Sequence, residues 1–121
     1  MKNELRIGNW VFGVSDRMEQ ITELLSIYAE TSFRGGLLHY SNYEDITGIP
    51  LTPELLEMFG FTRKDLADLG EFISLRISED MGLNLNNGTI WIGEYDTGII
   101  HLHQLQNLYF ALTGQELTIT L

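Results

Sequence analysis

Apolar and polar positions recur along this chain in short, separable patterns, so its elements can be named one by one. Asn9-Trp10-Val11-Phe12-Gly13-Val14 is β-prone and runs into a polar turn at Ser15-Asp16. From Met18 to Tyr28 the pattern is double. Ile21, Leu24, Leu25 and Tyr28 stand at helical spacing, whereas Tyr28-Ala29-Glu30-Thr31-Ser32-Phe33 reads as extended. Short strands are favoured, with residues 18–28 left open between helix and strand. Gly35-Gly36 then turns the chain into Leu37-Leu38-His39-Tyr40.

The middle carries sharper punctuation. Thr52-Pro53-Glu54 supplies an N-cap, a proline at the first helical position and a carboxylate against the helix dipole. The helix continues through Leu55-Leu56-Glu57-Met58-Phe59. Gly60 ends it in the left-handed region, and Phe61 folds back toward Leu56. Thr62-Arg63-Lys64-Asp65 reads as a capping box opening a second short helix through Leu69, stopped by Gly70.

A meander follows. Ile73, Leu75 and Ile77 alternate with Ser74, Arg76 and Ser78; Leu83 and Leu85 alternate with asparagines. Asn87-Gly88 is a strong hairpin signal, because both positions tolerate positive φ. Ile90 and Ile92 return on the partner strand with Trp91 on the other face, and Asp96-Thr97-Gly98 closes it. Leu102, Leu105, Leu108, Tyr109 and Leu112 form one helical stripe that packs on the sheet, capped by Gly114. Leu117, Ile119 and Leu121 finish as a strand. The expected fold is α+β: small antiparallel sheets, a short central helical segment, a C-terminal helix packed on a β-meander, and a final strand. A single domain over residues 1–121 is expected, with 1–50 mostly β, 51–70 short helices, and 71–121 meander, helix and strand.

Charge narrows the function classes. Seven Lys and Arg stand against 17 Asp and Glu, a net charge of −10. Beyond Arg76 there is no basic residue, only Glu79, Asp80, Glu94, Asp96 and Glu116. Phosphate binding needs clustered cations, so neither direct nucleic-acid binding nor an anionic membrane surface is expected. The absence of cysteine excludes disulfides, thiolate nucleophiles and zinc–thiolate sites, and fits a cytoplasmic location. No stretch is apolar enough for a signal peptide or a membrane-spanning helix.

The candidate chemistry is sparse. His101 and His103 are the one pair with metal-chelating potential. Both would share a strand face, but they diverge by about 200° on a helix, and no carboxylate stands at ligand spacing. They are weak metal candidates, and no catalytic residue or cofactor is assigned. Glu44-Asp45, Glu79-Asp80 and Glu94/Asp96 read as solvated turn carboxylates. No nucleophile elbow, phosphate loop or dinucleotide fingerprint occurs. Aromatic residues are numerous. Tyr109 and Phe110, about 100° apart on the last helix, widen its apolar face. With Gln104 and Gln106 on its polar side, and with Trp91, they are the interaction candidates.

Three segments carry a resemblance: Leu5-Arg6-Ile7-Gly8-Asn9-Trp10-Val11; Gly48-Ile49-Pro50-Leu51-Thr52-Pro53-Glu54-Leu55-Leu56 with Phe59-Gly60-Phe61; and His103-Gln104-Leu105-Gln106-Asn107-Leu108-Tyr109-Phe110-Ala111-Leu112-Thr113-Gly114. With them the chain resembles small uncharacterised proteins of Bacteroides-type bacteria and their phages or mobile elements. It departs from the commoner pattern between Ser15 and Asn42. The resemblance implies a bacterial or phage cytoplasmic origin and brings no catalytic residues with it.

The leading expectation is a non-enzymatic accessory or protein-interaction module, acting on an unidentified partner or as a homo-oligomer through the aromatic helix or a strand edge. One alternative is an acidic, DNA-mimicking inhibitor of a nucleic-acid-binding protein. Another is a small metal-dependent hydrolase using His101 and His103.

Overall fold

The computed structural model describes residues 2–14, 17–33 and 35–119. Internal contacts divide the chain into two units, Met1–Ile49 with His101–Asn107, and Pro50–Ile100 with Leu108–Leu121. Together they hold two antiparallel sheets and a C-terminal helix, the α+β class read from the pattern.

The first unit is built on β1 (Trp10–Phe12), β2 (Met18–Leu24), β3 (Tyr28–Ser32) and β4 (His39–Asn42), paired in that order. The ambiguous residues 18–28 form β2, a turn closed by the Leu25 N–H on the Tyr28 carbonyl, and the start of β3. Helical spacing loses here because Gln20 and Ile21 pair on both sides or across to β3, which a lone amphipathic turn could not match. Ser15, Asp16 and the termini of the chain lie outside the described residues.

Register fixes which residues share a face. Val11 pairs with Glu19, Ile21 with Thr31, Ala29 with Ser41 and Thr31 with His39. Directly opposed residues lie on the same side of a sheet. One end of this inner face is apolar: Val11, Ile21 and Ala29 join Leu5 and Ile46 in a core flanked by Leu24 and Tyr43. The other end is polar, with Glu19, Thr31 and Ser41 buried and His39 half-buried.

The second unit begins with α1 (Pro53–Met58). Thr52 Oγ1 accepts from the Leu55 N–H at 3.1 Å. At the other end the Gly60 N–H bonds Glu57 O and the Phe61 N–H bonds Leu56 O, the paired closure that left-handed Gly60 permits. Both caps follow the sequence expectation.

The expected second helix is absent. Thr62–Asp65 is instead β5, the edge of a five-stranded sheet whose order continues with β6 (Glu71–Arg76), β7 (Gly82–Asn86), β8 (Thr89–Ile92) and β9 (Tyr95–Ile99). Thr62 Oγ1 donates to Ser74 O across the ladder rather than capping a helix, and Arg63 donates to Glu71 through Nε and Nη2 and to Glu57 through Nη1. Only Ala67–Leu69 coil, as a single 3₁₀ turn.

Asn87-Gly88 makes the expected two-residue hairpin, with both residues at positive φ and Asn86 opposite Thr89. Asp96-Thr97-Gly98 is not the turn that closes the meander. The turn is Gly93-Glu94, and Asp96–Gly98 is a bulge inside β9, where the register shifts opposite Ile90 and Trp91. Thr97 Oγ1 donates to Ile90 O at 2.6 Å and Asp96 accepts from the Gly98 N–H, so local bonds pin the bulge.

α2 (Leu102–Thr113) spans the expected range, its residues through Asn107 belonging to the first unit and the rest to the second. Its buried set is Leu102, His103, Leu105 and Gln106, while Leu112 is exposed, so the stripe read from leucine spacing is displaced toward the helix start. Gly114 closes it through its N–H on Phe110 O. No final strand follows among the described residues. Thr113 Oγ1 accepts from the Gln115 N–H and redirects the chain, and Leu117 is buried without a ladder. Leu121 lies outside the described residues.

Candidate functional site

The polar end of the first sheet opens into a cleft of about 450 Å³ lined by Arg17, Met18, Glu19, Phe33, Leu37 and His39. Strand alternation places Glu19 on the inner face of β2 and His39 on that of β4, with Thr31 of β3 between them. Glu19 is only 2% exposed. A carboxylate so deep must be hydrogen-bonded to be tolerated. His39 Nδ1 lies 2.6 Å from Oε2 and 2.9 Å from Oε1, and Thr31 Oγ1 donates to Oε1 at 3.2 Å.

An ionised carboxylate only accepts, so Nδ1 carries hydrogen and Nε2 is the atom of the ring left for other work. Gly13 completes the arrangement. A Cβ there would sit 3.0 Å from Ser41 Oγ and 3.7 Å from Glu19 Oε1, and Ser41 Oγ already accepts from the Val14 N–H. The cleft walls are apolar and open. Phe33 is 51% exposed and meets Trp10 edge-on at 5.9 Å, and Leu37 is 78% exposed. Exposed apolar side chains around a buried carboxylate–imidazole pair describe a surface suited to binding.

His101 and His103 do come together, though not as a chelate. Their rings stack with centroids 5.7 Å apart. His103 is fully buried at the start of α2; its Nε2 donates to Glu4 Oε1 at 2.7 Å while Nδ1 has no partner. That hydrogen bond holds the Glu4 carboxyl below its ordinary range. Burial, and then the charge of His103, pull the His101 imidazole below its own. The His101 ring lies flat over Gly48, where a Cβ would fall 2.4 Å from Cγ. Among the described residues no group of three or more His, Asp or Glu is placed to hold a metal ion.

The interaction candidates separate. Gln106 is buried, accepting from the Trp10 N–H at 2.8 Å and donating to Gly8 O at 3.1 Å. Gln104 accepts from the His101 N–H at 3.1 Å, as a cap for the helix start. Trp91 is half-buried, its Nε1 donating to Thr89 Oγ1. Tyr109 is half-buried and Phe110 exposed, so the aromatic pair divides between the two environments.

Glu19, His39 and Phe33 are the residues the sequence pattern did not single out. They lie far apart in the chain, and only the register of three strands brings them together. The one available signal was a carboxylate at an inner strand position between Val11 and Ile21.

No family model, curated protein or solved structure matches this chain. Among the described residues no helix is long and apolar enough to cross a membrane.

Proposed function

We propose that this chain is a cytoplasmic, non-enzymatic protein-interaction module that recognises its partner at the Glu19–His39 cleft. One observation carries this reading: Phe33 and Leu37 stand exposed around a buried carboxylate–imidazole pair, in a cleft of about 450 Å³. Exposed apolar side chains cost solubility unless they are covered in use. A Glu–His pair could also polarise a nucleophile, but among the described residues no serine, threonine or lysine lines the cleft to be activated.

The test is affinity capture from a bacterial lysate at low and high salt, with wild type and Leu37→Asp as baits. A stoichiometric partner held by wild type at high salt and lost from Leu37→Asp supports the reading. The reading is abandoned when both baits return the same proteins, or none.

A further inference from the structure

We propose that the open edge of β4 is a dimerisation surface, on which a second copy of this chain pairs its own β4 antiparallel about a two-fold axis at Tyr40. The inference stands independently of the cleft reading.

Among the described residues the two sheets present four edges, and three of them are guarded. A bare edge strand is a template for another chain, so proteins cover it, charge it or distort it. β1 is covered: Phe12 exchanges both backbone bonds with Thr47, and Gln106 takes the Trp10 N–H. β5 is charged, three of its four residues being Arg63, Lys64 and Asp65. β9 is distorted by its bulge and carries Asp96. β4 has none of these devices. It reads His39-Tyr40-Ser41-Asn42, with no Lys, Arg, Asp, Glu or Pro, and its ladder to β3 is regular.

Register shows which backbone groups this edge offers. Successive residues of a strand turn their N–H and C=O to opposite sides. The Leu25 N–H bonds Tyr28 O and Thr22 Oγ1 bonds Glu30 O, so Tyr28 and Glu30 face β2 while Ala29 and Thr31 face β4. Their partners Ser41 and His39 answer them across the ladder. Tyr40 is thereby left with both its N–H and its C=O directed away from the sheet, and the Asn42 N–H points the same way.

The features that flank the edge fit one another, which selects a second copy as the occupant. Ahead of β4 stands Leu38, 45% exposed. At the other end, Ile27, Asn42, Tyr43 and Glu44 line a hollow of about 360 Å³. An antiparallel pair centred on Tyr40 sets residue 38 of each copy opposite residue 42 of the other. Leu38 then meets the mouth of the hollow beside the partner's Asn42, and symmetry makes the contact twice. At the axis the two Tyr40 residues exchange N–H and C=O bonds. Their rings become neighbours on one face, each already edge-on to its own Tyr28 at 5.6 Å. Charge permits the approach. A second copy brings another −10, and Leu37 through Asn42 include no carboxylate, so none is set opposite another along the paired strands. A foreign strand would use the same backbone groups, but a second copy also supplies, by symmetry alone, the leucine that meets the hollow.

The first measurement is mass by analytical ultracentrifugation from about 1 μM to about 1 mM. A short edge-to-edge contact is a small interface, so the mass should rise from 13.8 kDa to twice that value with a midpoint between about 1 and 100 μM. Leu38→Glu changes an exposed side chain outside the cleft lining, and should weaken dimerisation about 10-fold or more in a protein that keeps the wild-type NMR spectrum. Register is read with single cysteines, because the chain has none of its own. Directly paired residues place their Cα atoms about 5.5 Å apart, within disulfide reach, whereas the two copies of residue 42 lie about 13 Å apart along the strands. With oxidised glutathione, Tyr40→Cys should therefore cross-link at least about 10-fold faster than Asn42→Cys, whose Cα spacing exceeds disulfide reach.

A chain that stays monomeric at about 1 mM overturns the inference, whatever foreign strand the edge then takes. A dimer that Leu38→Glu leaves intact, or one in which both cysteine variants cross-link at the same rate, overturns β4 as its interface. The Leu37→Asp capture judges the cleft reading separately.

Discussion

The two sheets bury different things. On the five-stranded sheet Ile73, Leu83 and Ile90 are buried, while Arg63 of the exposed edge strand β5 makes its ion pairs with Glu57 and Glu71 in solvent. On the four-stranded sheet the buried face changes character along its length, from Val11, Ile21 and Ala29 to Glu19, Thr31 and Ser41. An apolar interior is stabilised wherever area is removed from water, with no regard to direction. A buried carboxylate is tolerated only with donors in set places, so the second interior is more constrained and better suited to recognition.

That contrast can be tested by substitution, from the largest effect downward. Leu83→Ala, in the fully buried centre of β7, should cost about 4 kcal/mol in denaturant melts through lost transfer energy and a residual cavity. It should leave ligand binding at the cleft unchanged. Gln106→Leu keeps the volume but strands the buried Trp10 N–H and leaves the Gly8 carbonyl only its bond from Gln20 Nε2, and should cost about 3 kcal/mol. A neutral result would mean that the polar contacts of the first unit are dispensable, and the comparison would collapse. Gly48→Ala pushes a methyl group into the His101 ring and should cost about 2 kcal/mol, read as a lowered melting midpoint.

Acid should weaken the protein through its histidine cluster. His101 is held below its ordinary value by burial, so the unfolded chain takes up protons more readily, and stability declines as pH falls below about 6.5. Glu4 is held low by His103; its contribution is present above about 4.5 and is lost as pH falls through its depressed folded value. Melting midpoints across pH check both, and His101→Gln should flatten the upper part of the decline. The smallest effect belongs to Arg63→Gln. Exposed pairs are worth little, so the melting midpoint should barely move, even though its partners hold this guanidinium firmly protonated.

Much of this fold was legible because its signals are local. Thr52 and Gly60 bound a helix through bonds reaching three to five residues, and Asn87-Gly88 sets a hairpin within two. Thr62-Arg63-Lys64-Asp65 misled for the opposite reason. Its capping residues found partners on β6, twelve residues away for Thr62 and eight for Arg63. The site was the least legible part. Glu19 and His39 are twenty positions apart, and nothing about either residue type announces the other.

The motifs at the two ends of the chain gain meaning only in the folded molecule. Arg6 Nε and Asn9 Nδ2 both donate to Asn107 Oδ1, Asn107 Nδ2 donates to Glu4 O, and Gln106 holds Gly8 and Trp10. Leu5–Val11 and His103–Gly114, two of the segments on which the sequence resemblance rests, thus include the two halves of one clasp. The clasp supplies a structural reason for those amides without invoking a ligand.

The Asn87-Gly88 hairpin also sets a chemical clock. Glycine offers no side chain to hinder attack of its backbone nitrogen on the asparagine carboxamide, the step that begins deamidation. Each turn that converts adds one negative charge to a chain already at −10. When the product is isoaspartate, an extra methylene enters the backbone of a two-residue loop that fixes Asn86 opposite Thr89. Stored protein should therefore age first at this corner, as a more acidic species with a loosened β7–β8 ladder.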